Sequence, residues 1–416
     1  MNDMPIQSTF MPHGSDHVPS ELIHDFDMFD MPGDVSDPTE IWHRLRDQGV
    51  PEIFYTPRNG GHWVFLRYDD ILAAYREHDK FSSRNSSMPP MEDWPILQPV
   101  GVDPPQNDVF RRVLAPMFTP RAVREMTREL ARRSADMIER FADRRNCDFI
   151  AEYAEQFPTS TFLYLFGLPE ERLPDFLALV HPFFRTSDPD VKREAIQKIY
   201  AEIDYYLREK VACPADDLAT AIVQARDKDG APYPWQDTVN CGFLMFAAGL
   251  DTVTNTMAYT WRHLATSPTS RAYFLNHLDD PDAFMRGIEE LMRINSVSNI
   301  MRRVKADTIF RGIRMRENDR VVLPNTMANR DPQRFNDPQA VDLDREVNLH
   351  LTFGAGPHRC MGSHLAKREI FVSLQEWLRR IPHFELADHD RGSAFGGSVM
   401  GFTSLKLRWA DQGIAG

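Results

Sequence analysis

A mainly helical fold with a small β component is what these 416 residues predict. Three observations lead there. The stretch WQDTVNCGFLMFAAGLDTVTNTMAYTWRHLAT (235–266) is apolar on nearly every side over many turns, as a helix buried in the middle of a large domain must be. Segments 121–145 and 190–210 repeat apolar residues at three- and four-residue steps with charges outside, which predicts two long amphipathic helices. Strand signals are few: GHWVFLRY (61–68), RVVLPN (320–325) and LKLRWA (405–410).

Prolines punctuate the joints at Pro104-Pro105, Pro158, Pro169, Pro214, Pro332 and Pro338. No low-complexity linker and no internal repeat divides the chain. A mobile tail over 1–20 and one domain over 21–416 are therefore expected. With 42% hydrophobic and 11% aromatic residues the chain can bury a large core. It has no uninterrupted apolar run of about 18 residues, so no membrane span is expected. The N-terminal stretch carries acids and prolines where a signal peptide needs a basic start and an apolar stretch, which predicts a soluble, cytoplasmic, monomeric protein. A formal charge of −13 argues against a nucleic-acid partner. Cys147, Cys213, Cys241 and Cys360 are far apart with no CxxC spacing, which excludes the usual zinc patterns and argues against a disulfide framework.

Cys360 lies in FGAGPHRCMG (353–362), directly before a helical pattern. A lone cysteine is most often a small buried hydrophobe. Here Gly354, Gly356 and Gly362 let the backbone pass close to something flat. The free amides of Met361, Gly362 and Ser363 at the helix start, and the positive end of its dipole, favour a thiolate. His358 and Arg359 add polar or positive groups beside it. Such a thiolate is a nucleophile or a metal ligand. A nucleophile needs a histidine base and an orienting partner, which the sequence does not single out. A one-cysteine iron site needs a macrocycle for its other ligands, which means haem.

FGAGPHRCMGSHLAKREI resembles the haem-binding loop of the cytochrome P-450 superfamily. The resemblance implies that family's fold, with haem b between the long central helix and the cysteine loop. It implies Cys360 as the iron ligand, with Phe353, Gly354 and Gly362 shaping the loop. AAGLDTVTN (247–255) is similar to the family segment that crosses the other haem face. There Thr252 would support bound dioxygen and Asp251 would relay protons. The bland alternative is a buried acid with an ionic partner, beside a threonine bonded back to the Ala248 carbonyl. Family segments matching DPPQNDVFRR (103–112) and IMRR (300–303) nominate Arg111 and Arg302, with His358, as partners of the haem propionates. His62 is a weaker candidate, as easily packed as functional. Glu290, Arg293 and Arg345 match a buried structural trio of the family, not catalysts.

NGGHW, FSS (81–83), DPP, GLPEE (167–171), AGLDT and KREI occur in the order seen in the bacterial camphor monooxygenase family. These enzymes hydroxylate small terpenoids using dioxygen and electrons from a [2Fe–2S] ferredoxin, itself reduced by an NADH-dependent flavoprotein. That resemblance implies a pocket lined by Met88, Trp94, Leu97, Val100, Leu244, Ala248, Ser298 and Val399. The family's tyrosine donor before the DPP segment is missing, Trp94-Pro95 standing there instead, and a site without a donor loses discrimination for a ketone. A compact apolar bicycle such as 1,8-cineole is expected ahead of camphor, borneol or an ionone, with Ser298 as a replacement hydroxyl contact. Arg111, Arg112, Arg359, Lys367 and Arg368 are expected to form a basic docking patch for the ferredoxin. Against a peroxide-driven enzyme stands the Asp251–Thr252 pair. Against a haem sensor stands the lack of a signalling domain, and a colourless folded protein would mark a mere packing cysteine.

Overall fold

The structure is a computed structural model that describes residues 15–32, 37–88, 90, 96–184, 189–227, 229–387 and 394–410. The helix Trp235–Thr266 runs through the middle of the largest hydrophobic cluster. Its 32 residues span roughly 48 Å at 1.5 Å each. Cys241, Phe243, Asn255 and Leu264 are fully buried along it and lie on different sides, because helices pack on it all round. Around it lie Gln156–Phe166, Pro189–Ala212, Pro268–Asn276 and Pro281–Ile294.

Segment 190–210 is covered by the helix Pro189–Ala212, and segment 121–145 only in part, by Pro120–Glu139. Thr119 caps that helix by accepting the Ala122 amide, with Pro120 at its first position. Beyond Glu139 the chain buries Phe141 and turns through Arg145 in the left-handed region. It then enters a strand, Asn146–Asp148, paired with Lys406–Arg408. Tertiary pairing thus overrides the helical pattern of 140–145.

A five-stranded sheet has the order Ile53–Thr56, His62–Phe65, Arg320–Pro324, Asn299–Val304, Phe81–Ser82. The pairing of His62–Phe65 with Arg320–Pro324 is parallel and the rest antiparallel. Two smaller hydrophobic clusters flank this sheet. The strand Asn299–Val304 escaped the sequence reading because its two arginines break the apolar pattern; pairing of Met301 with Val322 and Arg302 with Val321 makes it a strand.

Of the segment expected to be a tail, residues 1–14 lie outside the described residues. Ser15–His17 and Ser20–Leu22 are short 3-10 turns held to the body. His17 Nε2 is 2.8 Å from Asp319 Oδ2, and Arg316 pairs with Asp16 at 2.8 Å. Among the described residues, no helix is long and apolar enough to cross a membrane.

Glu290 and Arg293 are fully buried and joined by two 2.8 Å hydrogen bonds. Arg345 Nε and Asn348 Nδ2 each donate to Glu290 Oε2 at 3.1 Å. Arg293 in turn donates to the carbonyls of Asn329, Pro338 and Ala340. A buried pair satisfied on every side is costly to break from one side only. It ties the helix Pro281–Ile294 to the irregular stretch 329–348 that leads into the cysteine loop.

Candidate active site

The cysteine loop is held by backbone bonds and by glycines. Cys360 N–H donates to the Phe353 carbonyl at 2.9 Å, and Gly354 N–H to the Leu351 carbonyl at 2.8 Å. Gly354 and Gly356 have φ of 64° and 66°. A Cβ at Gly356 would stand 2.5 Å from the Tyr75 carbonyl oxygen, so no side chain fits there. The helix Ser363–Arg380 starts directly beyond, with Gly362 as its cap.

Cys360 is accessible to solvent although protein atoms surround it closely. Burial raises the Cys360 thiol pKa and outweighs the Gly362 N–H and the charges of Arg111 and Arg359, which lower it. Of the three amides at the helix start, that of Gly362 is the one that acts on the sulfur. A bound metal ion deprotonates a coordinating thiol outright.

Three cationic or protonatable side chains converge beside the loop. Arg302 is buried, donates to the Met301 carbonyl at 2.8 Å and lies over the Tyr75 ring at 5.4 Å. Arg111 donates to the Arg359 carbonyl at 2.8 Å. The His358 ring nitrogens are buried with no hydrogen-bond partner. Burial first, then the Arg302 charge, pushes His358 down to about 3. None of the three makes an ion pair among the described residues. Asp103 is engaged elsewhere, by Ser82 Oγ at 2.6 Å, the Ser83 amide at 2.9 Å and Lys305 at 3.6 Å.

On the central helix, Ala248 and Gly249 are exposed between half-buried Ala247 and buried Leu250, and a Cβ at Gly249 would meet nothing within 4 Å. Thr252 Oγ1 donates to the Ala248 carbonyl at 3.0 Å, the local bond that a helical threonine commonly makes. Asp251 is buried and accepts from Asn255 Nδ2 at 2.9 Å. Its charge also acts on Lys192 of the helix Pro189–Ala212.

Haem, the group the sequence resemblance implies, fits these residues. Small residues bare one helix face, an exposed thiol stands in the glycine loop, and buried Arg302, with Arg111 and the unpartnered His358 ring nitrogens beside it, lacks the carboxylates that propionates would bring. An uncompensated buried cation is otherwise costly.

Other nominated residues scatter. Leu97 and Leu244 belong to the large cluster, and Val399 packs against it. Ser298 pairs with Val399 through a backbone bridge. Met88 instead packs with Met301 and Met400 in a separate cluster, Val100 is 46% exposed, and Trp94 lies outside the described residues. His62 is fully buried in its strand. Of the basic patch, Lys367 is bonded to Glu289 and Arg368 stacks over Phe371, while Arg112 and Arg359 are exposed.

Sequence reasoning missed Tyr75, which underlies Arg302, backs both loop glycines and donates to Asn325 at 2.6 Å. It also missed Asn107, whose amide donates to the Pro357 carbonyl at 3.3 Å. Neither carries a sequence signal, since both act through residues remote in the chain.

A family model described as Cytochrome P-450 matches residues 285–394. A Sinorhizobium fredii protein described as "Probable cytochrome P-450 127A1" is 34% identical over 406 residues, covering 95% of this chain and 96% of that one. The crystal structure of CYP101C1 is similar at TM-score 0.87 and 29% identity, over 95% of this chain and 99% of that chain. That of CYP101J2 is similar at TM-score 0.84 and 27% identity, over 99% and 100%.

Proposed function

The chain belongs to the cytochrome P-450 family of monooxygenases, which carry haem on a cysteine thiolate, and from that premise we propose that Cys360 is the iron ligand of a ferredoxin-dependent terpenoid hydroxylase. Bound haem supplies the dioxygen chemistry, one oxygen atom entering a C–H bond and the other leaving as water with two protons and two electrons taken up. The observation that carries the assignment is the accessible Cys360 thiol in a loop beside buried Arg302, which makes no ion pair among the described residues, and the His358 ring nitrogens, which are buried without a partner.

In this reading Arg111, Arg302 and His358 hold the two propionates. Asp251 and Thr252 hold and pass protons, the Thr252 hydroxyl leaving the Ala248 carbonyl to donate where oxygen binds. Leu97, Leu244, Ala248, Ser298 and Val399 face the substrate, a compact apolar bicycle of which 1,8-cineole is the first choice. The electron donor is an acidic [2Fe–2S] ferredoxin served by an NADH-dependent flavoprotein, in the cytoplasm. Exposed Arg112 supports that docking. So does a groove of about 790 Å³ beside the cysteine loop, where Arg76, Arg286, Arg334, Arg345, Arg359 and Lys367 outnumber Asp282, Glu289 and Glu346.

The testing experiment is an optical titration of the ferric protein with cineole, camphor, borneol and β-ionone. A large high-spin shift with cineole and a weak one with camphor supports the reading. A strong camphor response replaces cineole as substrate, with Ser298 as the donor. Thr252→Ala is expected to keep consuming NADH and oxygen but to release hydrogen peroxide; tightly coupled product formation removes Thr252 from the mechanism.

A further inference from the structure

We propose that Asn255 is a positioning residue that holds the Asp251 carboxylate in its relay orientation, and that Gly401 is the residue that makes room for it; this rests on the reading of Asp251 as the proton relay. Asn255 lies one turn beyond Asp251 on the central helix and is fully buried. Its Nδ2 donates twice, to the Asp251 carbonyl at 2.7 Å and to Asp251 Oδ1 at 2.9 Å. The amide has only this orientation open to it. Reversed, its oxygen would face a carbonyl and a carboxylate, three acceptors with no proton between them.

That orientation leaves Asn255 Oδ1 pointing away from Asp251, buried and without a hydrogen-bond partner. Gly401 closes on it from the other side. A Cβ at position 401 would stand 1.7 Å from Asn255 Oδ1 and 2.3 Å from its Cγ. The backbone of Gly401 is not in the left-handed region. Its glycine is therefore required by close approach and not by conformation.

Gly401 sits in the strand Gly401–Phe402, paired with Ala394–Phe395. Phe402 anchors that hairpin to the same helix: its ring lies 4.8 Å from that of Tyr259, and Arg262 stacks over it at 5.2 Å. Helix and hairpin thus grip the Asn255 amide between them, and any residue other than glycine at 401 pushes the amide off Asp251. Asp251 also acts electrostatically on Lys192. Asn255 fixes which way the carboxylate is presented between that lysine and Thr252.

The experiment compares the holoenzyme with Asp251→Asn, Asn255→Ala, Gly401→Ala and, as a packing control, Val253→Ala, a buried position of the same helix. Product formation is followed against pH and in heavy water, and the infrared carboxylate band lost in Asp251→Asn is followed in the others. Asn255→Ala and Gly401→Ala are expected to slow product formation roughly tenfold, raise the solvent isotope effect as Asp251→Asn does, and shift that carboxylate band. Val253→Ala lowers stability and moves none of these. A wild-type isotope effect, pH profile and carboxylate band in Asn255→Ala overturns the proposal even where Gly401→Ala does not fold. An unchanged isotope effect in Asp251→Asn overturns the relay itself, and the proposal with it.

Discussion

In the cysteine loop the backbone is held from outside, whereas in the central helix the reactive groups are answered from within. Loop positions 353–362 are shaped by Tyr75, Asn107 and Arg111, all far away in the chain. Behind the loop stands the Glu290 network, and beside it Lys367 and His350 bind the same carboxylate, Glu289. On the helix, Thr252 bonds to Ala248, Thr256 to Thr252 and Thr260 to Thr256, each four residues back. Asn255 reaches Asp251 in the same way, with Gly401 as an outside wedge. The difference teaches where damage travels. A change in the loop's distant supports is expected to reach Cys360, while a change at Thr252 or Asn255 is expected to stay within the local bonds of the helix.

The contrast is tested hardest at its extremes. Cys360→His should retain some haem yet lose the thiolate-type carbon monoxide spectrum and nearly all oxygenation, as read by difference spectroscopy and product analysis. Glu290→Gln leaves Arg293 and Arg345 without their carboxylate and should cost about 3–5 kcal/mol in denaturant unfolding, with haem lost in step. Unchanged haem retention in that variant would break the claim that distant supports govern the loop.

Glu369, on the helix behind the loop, supplies a pH test. Burial pushes its carboxyl up to about 8, offset only in part by a hydrogen bond with Thr161. A folded pKa above the unfolded 4.5 means that the folded state binds more protons between the two values. The contribution is therefore full below about pH 4.5 and is lost as pH rises through about 8. Glu369→Gln should flatten that loss, gaining a few kcal/mol over the parent at alkaline pH and little at acid pH. Parallel pH–stability curves would refute it.

Two glycines give the finest comparison. Gly356→Ala forces a Cβ onto the Tyr75 carbonyl at positive φ and should cost about 1–3 kcal/mol and weaken haem binding. Gly249→Ala meets nothing within 4 Å and improves helix propensity, so the apoprotein should gain about 0.5–1 kcal/mol. Thermal melts of the two read the difference between a backbone fixed by neighbours and one fixed by its own helix.

How much of this was legible beforehand depends on how far apart in the chain the partners stand. Apolar periodicity is a local property, so the sequence by itself determined the helices Trp235–Thr266 and Pro189–Ala212 and the i, i+4 bond of Thr252. Cys360 stood out because glycines, a helix start and one thiol lie within ten residues. The strand Asn299–Val304, the early end of the helix Pro120–Glu139 and the place of Met88 were decided by pairing and packing with remote segments. So was the environment of Cys360: neighbouring amides favour a thiolate, whereas burial, which only the assembled fold creates, raises the thiol pKa. Tyr75 under Arg302 and Gly401 against Asn255 are likewise tertiary facts, because a contact between two residues leaves no mark on the neighbours of either.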